Sequence, residues 1–517
     1  MIHTNPRSRN RLEIFRDLLN YLFVPTNEPK YIKTLLGIIA VVGVISRLYI
    51  INNPIGYDEA YTFINFSSKP FKFILADYHA PNNHILNSLL IGIVYRILGS
   101  HIWIVRVPAF IAGVVGVPVS FIAARRFFTA QQSLATSAVL AIAPNIVAES
   151  ANGRGYTLII LFSLLLVNFA GLLVQEQSRS ALAAYAITGA LGFYSVPIFL
   201  YPMAGISFWV VFTYLSTNGA QSIKWNNIQN FFVTCAFSGV LALLLYSPVI
   251  IFGTGLDSIT ANDIVRSQGW IEFADNLLTR SLLTWQSWMA PIVPAIKYLL
   301  LLGFLLSVIL YRKISNQKLP MQIFLILGAG IMLVLQRVAP LPRIWSYLEM
   351  FYWLFSAIGL AGIGHLIFNK SAKKRAGQKI LSSFVLLVVL ITFTSVTLKT
   401  QSRQARLDRT VAPEQLAADF LAEHLNEQDT IVAVAPTDIQ TAYYLKIKGV
   451  PYEIFYQRDH PVEIRNAMVL VRTRGEYGFD TLDKVLDFYD LTPNLDVDSQ
   501  QQVFDYGPLF IYSLPAK

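Results

Sequence analysis

Charge is the first scarcity. Only 14% of the 517 residues are charged and 54% are hydrophobic, where a soluble chain carries about a quarter charged residues. The deficit is uneven. Apolar runs of about 17–25 residues recur along residues 33–398, each long enough to cross a hydrocarbon core of ~30 Å. One large soluble globule is thereby excluded. Cysteine is the second scarcity. Cys235 alone permits neither an intramolecular disulfide nor a cysteine-based zinc site. A cleavable leader is also lacking. No A-x-A-like site follows the first apolar run, Ile32 to about Ile51, so that run reads as a retained span. The one excess is positive, a net charge of +10. Its basic residues cluster in short loops between apolar runs, the pattern that orients membrane proteins. No basic-aromatic groove element points to nucleic acid.

The runs near 33–51, 103–124, 131–147, 156–174, 181–196, 198–215, 229–252, 295–311, 321–337, 344–368 and 379–398 read as spans. The stretch 84–98 is short and carries Asn87, Tyr95 and Arg96. Parity settles it. If 84–98 does not cross, Arg125–Arg126, Lys224, Arg312–Lys313–Lys318 and the basic loop at 370–379 share the side of the basic N-tail (Arg7, Arg9, Arg11). If it crosses, every one of those loops moves opposite the tail. The positive-inside rule favours the first arrangement. The expectation is a polytopic α-helical membrane protein with about eleven transmembrane helices and a cytoplasmic N-terminus. In it, 84–98 lies along the outer interface.

Three regions follow. Residues 1–32 form a cytoplasmic tail, in which Arg11–Phe23 has the two faces of an interfacial helix. Residues 33–398 form the transmembrane domain, with long outer loops at 52–102 and 253–294. Residues 399–517 form an extracytoplasmic domain. Within it DTIVAVA, IQTAYYLKI up to Gly449, NAMVLVRT, TLDKVLDFYDL and LFIYSL alternate strand and helix patterns. That alternation predicts a small α/β fold. It contains no Gly-rich phosphate motif and no Ser-His-Asp spacing, so capping the site or recognising an acceptor is its default role.

The first outer loop is unusually polar for a bilayer surface. It opens on Asp58–Glu59, followed by a predicted short helix over Ala60–Phe66. Asp77, Tyr78, His79, Ala80, Pro81, Asn82, Asn83 and His84 then crowd one turn. Further along, Glu149 and Arg154 share the outer turn AESANGRG. Arg343 opens a span that carries Glu349 two helical turns deeper. A carboxylate inside a span costs on the order of 3 kcal/mol, so it has a partner or a task. His79 and His84 are spaced i, i+5 across a proline, which is no helical metal pair.

Several of these segments resemble the GT-C glycosyltransferases. YDEA follows the first span, HAPNNHILNSLL joins a proline turn to a Leu-rich helix, and RVPAFIAGVVGVPVSFIAARRFF and PNIVAESANGRGYTL come after. The order is similar to the protein O-mannosyltransferase and lipid A aminoarabinose transferase group. The similarity is strongest over residues 33–200 and lies beyond that only in layout. It implies a sugar donor carried on polyprenyl phosphate and a lipid, glycan or protein acceptor arriving from outside. It also implies the surrounding lipid of a bacterial inner membrane. By that resemblance Asp58 is the catalytic base and Glu59 its support. Aminoarabinose transferases carry an acid-lysine pair before the second-turn prolines; here His79–Ala80 stands there, and the lysine is absent.

The chemistry needs a base for the acceptor hydroxyl and positive charge on the departing phosphate. A carboxylate beside an apolar surface holds its proton to higher pH, which suits a base near neutrality. The sugar carbon passes through an oxocarbenium-like state, and a single displacement inverts it. Arg154 and Arg343 are the candidate phosphate contacts, with Arg106 as competitor. Tyr57, Asn83, His84, Tyr156 and Glu349 complete the candidate substrate contacts. A divalent metal (Mg, Mn or Zn) would draw on His79 and Glu149. The alternative is a lipid or polysaccharide transporter or flippase. Such proteins show inverted repeats with matching broken spans, and no such symmetry is legible here.

Overall fold

The computed structural model describes residues 11–23, 28–176, 178–216, 221–260, 266–368, 412–458, 461–473 and 478–517. The expected span 379–398, the basic loop 370–379 and Arg7 and Arg9 of the tail lie outside these residues. Contacts divide the chain into two units. One comprises residues 1–51, 75–87 and 108–400; the other comprises 52–74, 88–107 and 401–517.

The first unit is a helical bundle. Its helices are α1 (Arg11–Phe23), α2 (Lys30–Leu48) and, after the segments of the other unit, the long helix Ile102–Arg125 that enters it at Pro108. Then come Ala130–Ile142, Pro144–Glu149, Tyr156–Glu176, Arg179–Ser195, Leu200–Ser216 and Gln221–Phe252. Trp270–Met289, Pro294–Ile309, Met321–Gln336 and Ser346–Phe368 follow among the described residues. Among the described residues six helices are long and apolar enough to cross a membrane, or seven if the pair 270–289 and 294–309, bent by 113°, counts once. The runs 131–147, 181–196 and 321–337 form helices of 13, 17 and 16 residues. Residues 85–98 form a 14-residue helix, about 21 Å long and short of a ~30 Å core. Residues 270–289, expected as loop, are helical.

Small residues bring these helices together. A side chain at Gly205 or Gly328 would strike the facing backbone, and so would one at Gly303 or Gly359. Close approach at small residues is how helices pack where lipid offers no hydrophobic drive. The outward faces stay apolar: Phe237, Leu243, Leu244 and Ile251 of Gln221–Phe252 are exposed, a surface suited to lipid.

Contacts also sort the loops into two ends. At one end, Tyr78 N–H donates to Thr254 Oγ1 at 2.9 Å, Asn87 Nδ2 to the Gly153 carbonyl at 2.8 Å, and Asn145 Nδ2 to the Ser287 carbonyl at 3.3 Å. At the other, Arg126 Nε donates to Asn168 Oδ1 at 2.8 Å and Nη2 to the Leu22 carbonyl at 2.9 Å. Arg125 pairs with Glu28 at 2.6 Å there, and Asn316 N–H reaches the Phe127 carbonyl at 3.0 Å.

The second unit joins the C-terminal segment to the first loop. Its sheet has the order β1-β2-β4-β3, with β1 (Asp429–Val432), β2 (Asn466–Arg472), β3 (Gln501–Tyr506) and β4 (Leu509–Pro515). β1 and β2 are parallel and the other pairs antiparallel. Alternate residues face opposite sides. Val432, Val469, Val471 and Leu514 pack with Val485 and Leu486 of the helix Leu482–Phe488. Ile431, Met468, Leu470 and Ile511 pack with the helices Pro413–His424 and Thr437–Ile447. The same layer takes in Ile55, Ala60, Phe63 and Ile64 of the first loop. Phe63 meets the Tyr443 ring edge-on at 5.2 Å. Tyr444 Oη accepts from Ile55 N–H at 3.2 Å, and Gln440 Nε2 donates to the Ile55 carbonyl at 2.8 Å.

Burial pushes the Asp438 carboxyl from its ordinary 3.8 up to about 6, against the pull of first-turn backbone N–H groups. The phenols of Tyr57, Tyr452 and Tyr489 lie within reach of its charge. Here the unfolded chain releases the proton first as pH rises. Between about pH 4 and 6 the folded state binds more protons, so stability falls across that window. Melting curves of wild type and Asp438→Asn should therefore converge at pH 4 and separate by pH 6, with the variant the more stable. Parallel curves would contradict the shift.

Candidate active site

Asp58 and Glu59 sit in the first turn of a helix that begins at Tyr57, three residues earlier than expected (Tyr57–Thr62, then a π turn over Phe63–Ser67). The reason is a cap. Gly56 N–H donates to Glu59 Oε2 at 2.9 Å, closing one of the open donors of the helix start. Both carboxylates also lie at the favourable end of the helix dipole. Their environments then diverge. Glu59 is buried, and Arg106 donates to its two oxygens at 2.8 and 2.7 Å. Arg106 spends its remaining reach on the carbonyls of Asn53 at 2.8 Å and Pro54 at 3.0 Å. The pair thus clamps the loop that carries Asp58. This corrects the expectation that Arg106 competes for phosphate: its donors are committed to Glu59 and the loop. Asp58 is half-buried, and its backbone carbonyl accepts from Thr62 Oγ1 at 2.9 Å.

In the helical unit, the polar turn and the start of Tyr156–Glu176 meet. His84 is buried, and its Nδ1 accepts from Gly155 N–H at 2.8 Å. A side chain at Gly155 would press the His84 ring at 3.1 Å, so glycine permits this approach. Burial, with the Arg154 and Arg343 guanidiniums nearby, holds the His84 imidazole well below its ordinary range. The ring is neutral, and because Nδ1 accepts, the proton sits on Nε2. That Nε2 lies 3.4 Å from Arg154 Nη2. Buried Arg154 also reaches Asn82 Oδ1 and stands 5.7 Å over the Tyr156 ring. Asn83 donates to the Asp77 carbonyl at 2.7 Å, and His79 Nδ1 bonds Asp77 Oδ1 at 2.7 Å.

A cavity of about 430 Å³ opens in the same unit. Asn145, Glu149, Trp288, Arg343, Ser346 and Glu349 line it. Its floor depends on a helix break. The expected span 131–147 stops at Ile142 and restarts at Pro144. Buried Arg47 caps the break, donating to the carbonyls of Ala141 and Leu140, each at 3.2 Å. A proline cannot continue the ladder, and the guanidinium satisfies carbonyls left open. The restarted turn delivers Asn145 and Glu149. Asn145 Nδ2 and Trp353 Nε1 then donate to Glu349 Oε1 at 2.7 and 3.2 Å. Arg343, by contrast, is exposed on the cavity edge.

The dolichyl-phosphate-mannose-protein mannosyltransferase family model matches residues 81–255. The fold is similar to that of ArnT from Cupriavidus metallidurans in the apo state, with a TM-score of 0.60 at 13% identity, covering 93% of this chain and 97% of that one. The same protein bound to undecaprenyl phosphate gives 0.58 at 12% identity, covering 93% and 98%. The family match covers about a third of the chain, and the likeness to ArnT is one of fold. The Archaeoglobus fulgidus oligosaccharyltransferase with Zn and sulfate is also similar, at a TM-score of 0.46 and 13% identity over 84% of this chain and 67% of that one. No curated protein matches in sequence.

The expected residues fall into two groups. Tyr57, Asp58 and Glu59 belong to the unit with the C-terminal segment. His79, Asn83, His84, Glu149, Arg154, Tyr156, Arg343 and Glu349 belong to the helical unit. Asn145 and Trp288 were not foreseen. Asn145 is one polar residue in an apolar run, and Trp288 lies in a stretch read as loop. For metal, His79 bonds Asp77 while Glu149 faces the cavity. Among the described residues no group of three His, Cys, Asp or Glu side chains could hold a metal ion.

Proposed function

We propose that the protein is a glycosyltransferase that moves a sugar from a polyprenyl-phosphate donor to an acceptor hydroxyl at the outer face of the membrane. The observation that carries this is the cavity of about 430 Å³ with Arg343 on its edge and Trp288, Asn145, Glu149 and Glu349 around it. Its size suits a small ligand. An arginine matches a phosphate, while carboxylates and an amide match sugar hydroxyls. His84 Nε2–H and Arg154 Nη2, both donors 3.4 Å apart, favour an anion shared between them. They stand in for the missing lysine. The undecaprenyl phosphate held by the similarly folded ArnT supports a lipid-phosphate donor here.

In the proposed reaction Asp58 accepts the proton of the acceptor hydroxyl. That oxygen attacks the anomeric carbon, the bond to phosphate oxygen breaks, and polyprenyl phosphate leaves with the electron pair. One displacement inverts the centre. The acceptor is a lipid, a glycan or a protein. Transport is the weaker reading, since the fold and the family match both point to sugar transfer.

Arg343→Ala tests the donor half. Losing one charged contact should weaken binding of undecaprenyl phosphate about ten- to hundredfold. Arg343→Lys should recover part of it, because a point charge replaces a fork. Equilibrium binding of radiolabelled lipid to nanodisc-held protein reads this out. Unchanged affinity in Arg343→Ala would move the phosphate away from this cavity.

A further inference from the structure

Another cavity of the helical unit, of about 510 Å³, takes no part in the chemistry above. It lies in the corner where the helix Trp270–Met289 turns into Pro294–Ile309, a bend of 113°. Trp285, Gln286, Met289, Lys297, Tyr298 and Leu301 line it. Trp285, Gln286, Tyr298 and Leu301 are exposed, so the cavity opens on the outside of the bundle. The Trp285 ring is braced. It meets the Tyr352 ring edge-on at 5.6 Å, and Tyr352 in turn lies 5.4 Å from Phe304.

The depth of this corner follows from its two helices. Along Pro294–Ile309, Leu299, Leu302, Leu305 and Ile309 are exposed, an apolar face suited to hydrocarbon. The helix before it runs close to perpendicular. It exposes Trp270, Ile271, Leu278, Leu282 and Leu283, the pattern of a helix lying in a membrane interface. Trp285 and Tyr298 at the corner carry the amphipathic rings that settle at headgroup level. Charge then singles out one residue. Lys297 is half-buried in the first turn of its helix. Its ammonium makes no hydrogen bond or ion pair among the described residues. No acidic side chain among those residues lines the cavity.

An unneutralised ammonium beside an apolar hollow at headgroup depth matches one class of molecule. The ammonium takes a phosphate as a point charge. The Gln286 amide both donates and accepts, which suits the oxygens of a glycerol backbone. Met289 and Leu301 give the first methylenes of a chain an apolar floor. We propose that this corner seats an anionic bilayer phospholipid, with its phosphate on Lys297 and the start of an acyl chain on Met289 and Leu301. The volume suits the phosphoglycerol part, while the tails run on over the exposed leucines of Pro294–Ile309. A zwitterionic lipid gains less, because its own cation offsets the phosphate. The donor lipid has its phosphate at the other cavity, with Arg343. The phospholipid site stands whether or not the protein transfers sugar.

Native mass spectrometry of the purified full chain tests this, with dioleoyl phosphatidylglycerol, dioleoyl phosphatidylcholine and undecaprenyl phosphate as probes. Wild type should retain phosphatidylglycerol more tightly than phosphatidylcholine. Lys297→Gln should weaken phosphatidylglycerol binding about fivefold or more and leave phosphatidylcholine unchanged. Lys297→Arg should keep the preference. Leu301→Trp fills the hollow from an exposed position and leaves the charge in place, and it too should weaken phosphatidylglycerol binding. Arg343→Ala, at the other cavity, should bind phosphatidylglycerol as wild type does. Equal retention of the two phospholipids, or phosphatidylglycerol binding that survives either Lys297→Gln or Leu301→Trp, would overturn the site. So would undecaprenyl phosphate binding that falls with Lys297→Gln as phosphatidylglycerol binding does, since the hollow would then belong to the donor lipid. A phosphatidylglycerol preference that depends on Lys297 in a protein without sugar transfer would keep this site and remove the enzyme reading.

Discussion

Asp58→Asn should lose about 10²–10⁴-fold in transfer rate, the range a general base contributes, while the protein melts as wild type does. The two halves of that expectation have separate grounds. The amide is nearly isosteric with the carboxylate and keeps the backbone, so Thr62 Oγ1 still donates to the residue 58 carbonyl. The clamp of the loop lies in the next residue, through Glu59 and Arg106, and is untouched. What the amide cannot do is take a proton from the acceptor hydroxyl. A folded Asp58→Asn protein with wild-type turnover would remove Asp58 from the chemistry.

Glu59→Gln should do the reverse and act first on stability. Glu59 and Arg106 are 4% and 2% exposed, so removing one charge strands the other in a buried setting. Breaking such a pair costs about 3–5 kcal/mol. Arg106→Met should cost a similar amount. The double variant Glu59→Gln with Arg106→Met should be more stable than the sum of the single losses implies, because neither charge is then left alone. Thermal melting of all four proteins in the same detergent measures the coupling. If Glu59→Gln melted as wild type yet lost turnover, Glu59 would be a chemical participant rather than the anchor of its neighbour.

The resemblance gave Asp58 as base and Glu59 as its support, but what holds Glu59 was not legible in the chain. The partner of Glu59, Arg106, is 47 residues away and read as a competing phosphate contact. Apolar periodicity did show most helices of the bundle, since burial in lipid or in neighbouring helices demands long apolar runs. It did not show the break at Pro144, whose open carbonyls are satisfied by Arg47 from another helix. Strands and helices of the C-terminal segment were legible from their alternation. Its packing against Ile55, Ala60 and Phe63 was not, since the short helix read over Ala60–Phe66 gave no sign of which element covers its apolar face.

The most direct test of sugar transfer uses the purified full chain with a polyprenyl-phosphate sugar and, separately, the matching nucleotide sugar. Wild type should release polyprenyl phosphate from the first donor and leave the second intact, and Asp58→Asn should lose the first activity. Turnover of the nucleotide sugar, or release of polyprenyl phosphate at the same rate with Asp58→Asn, would contradict it.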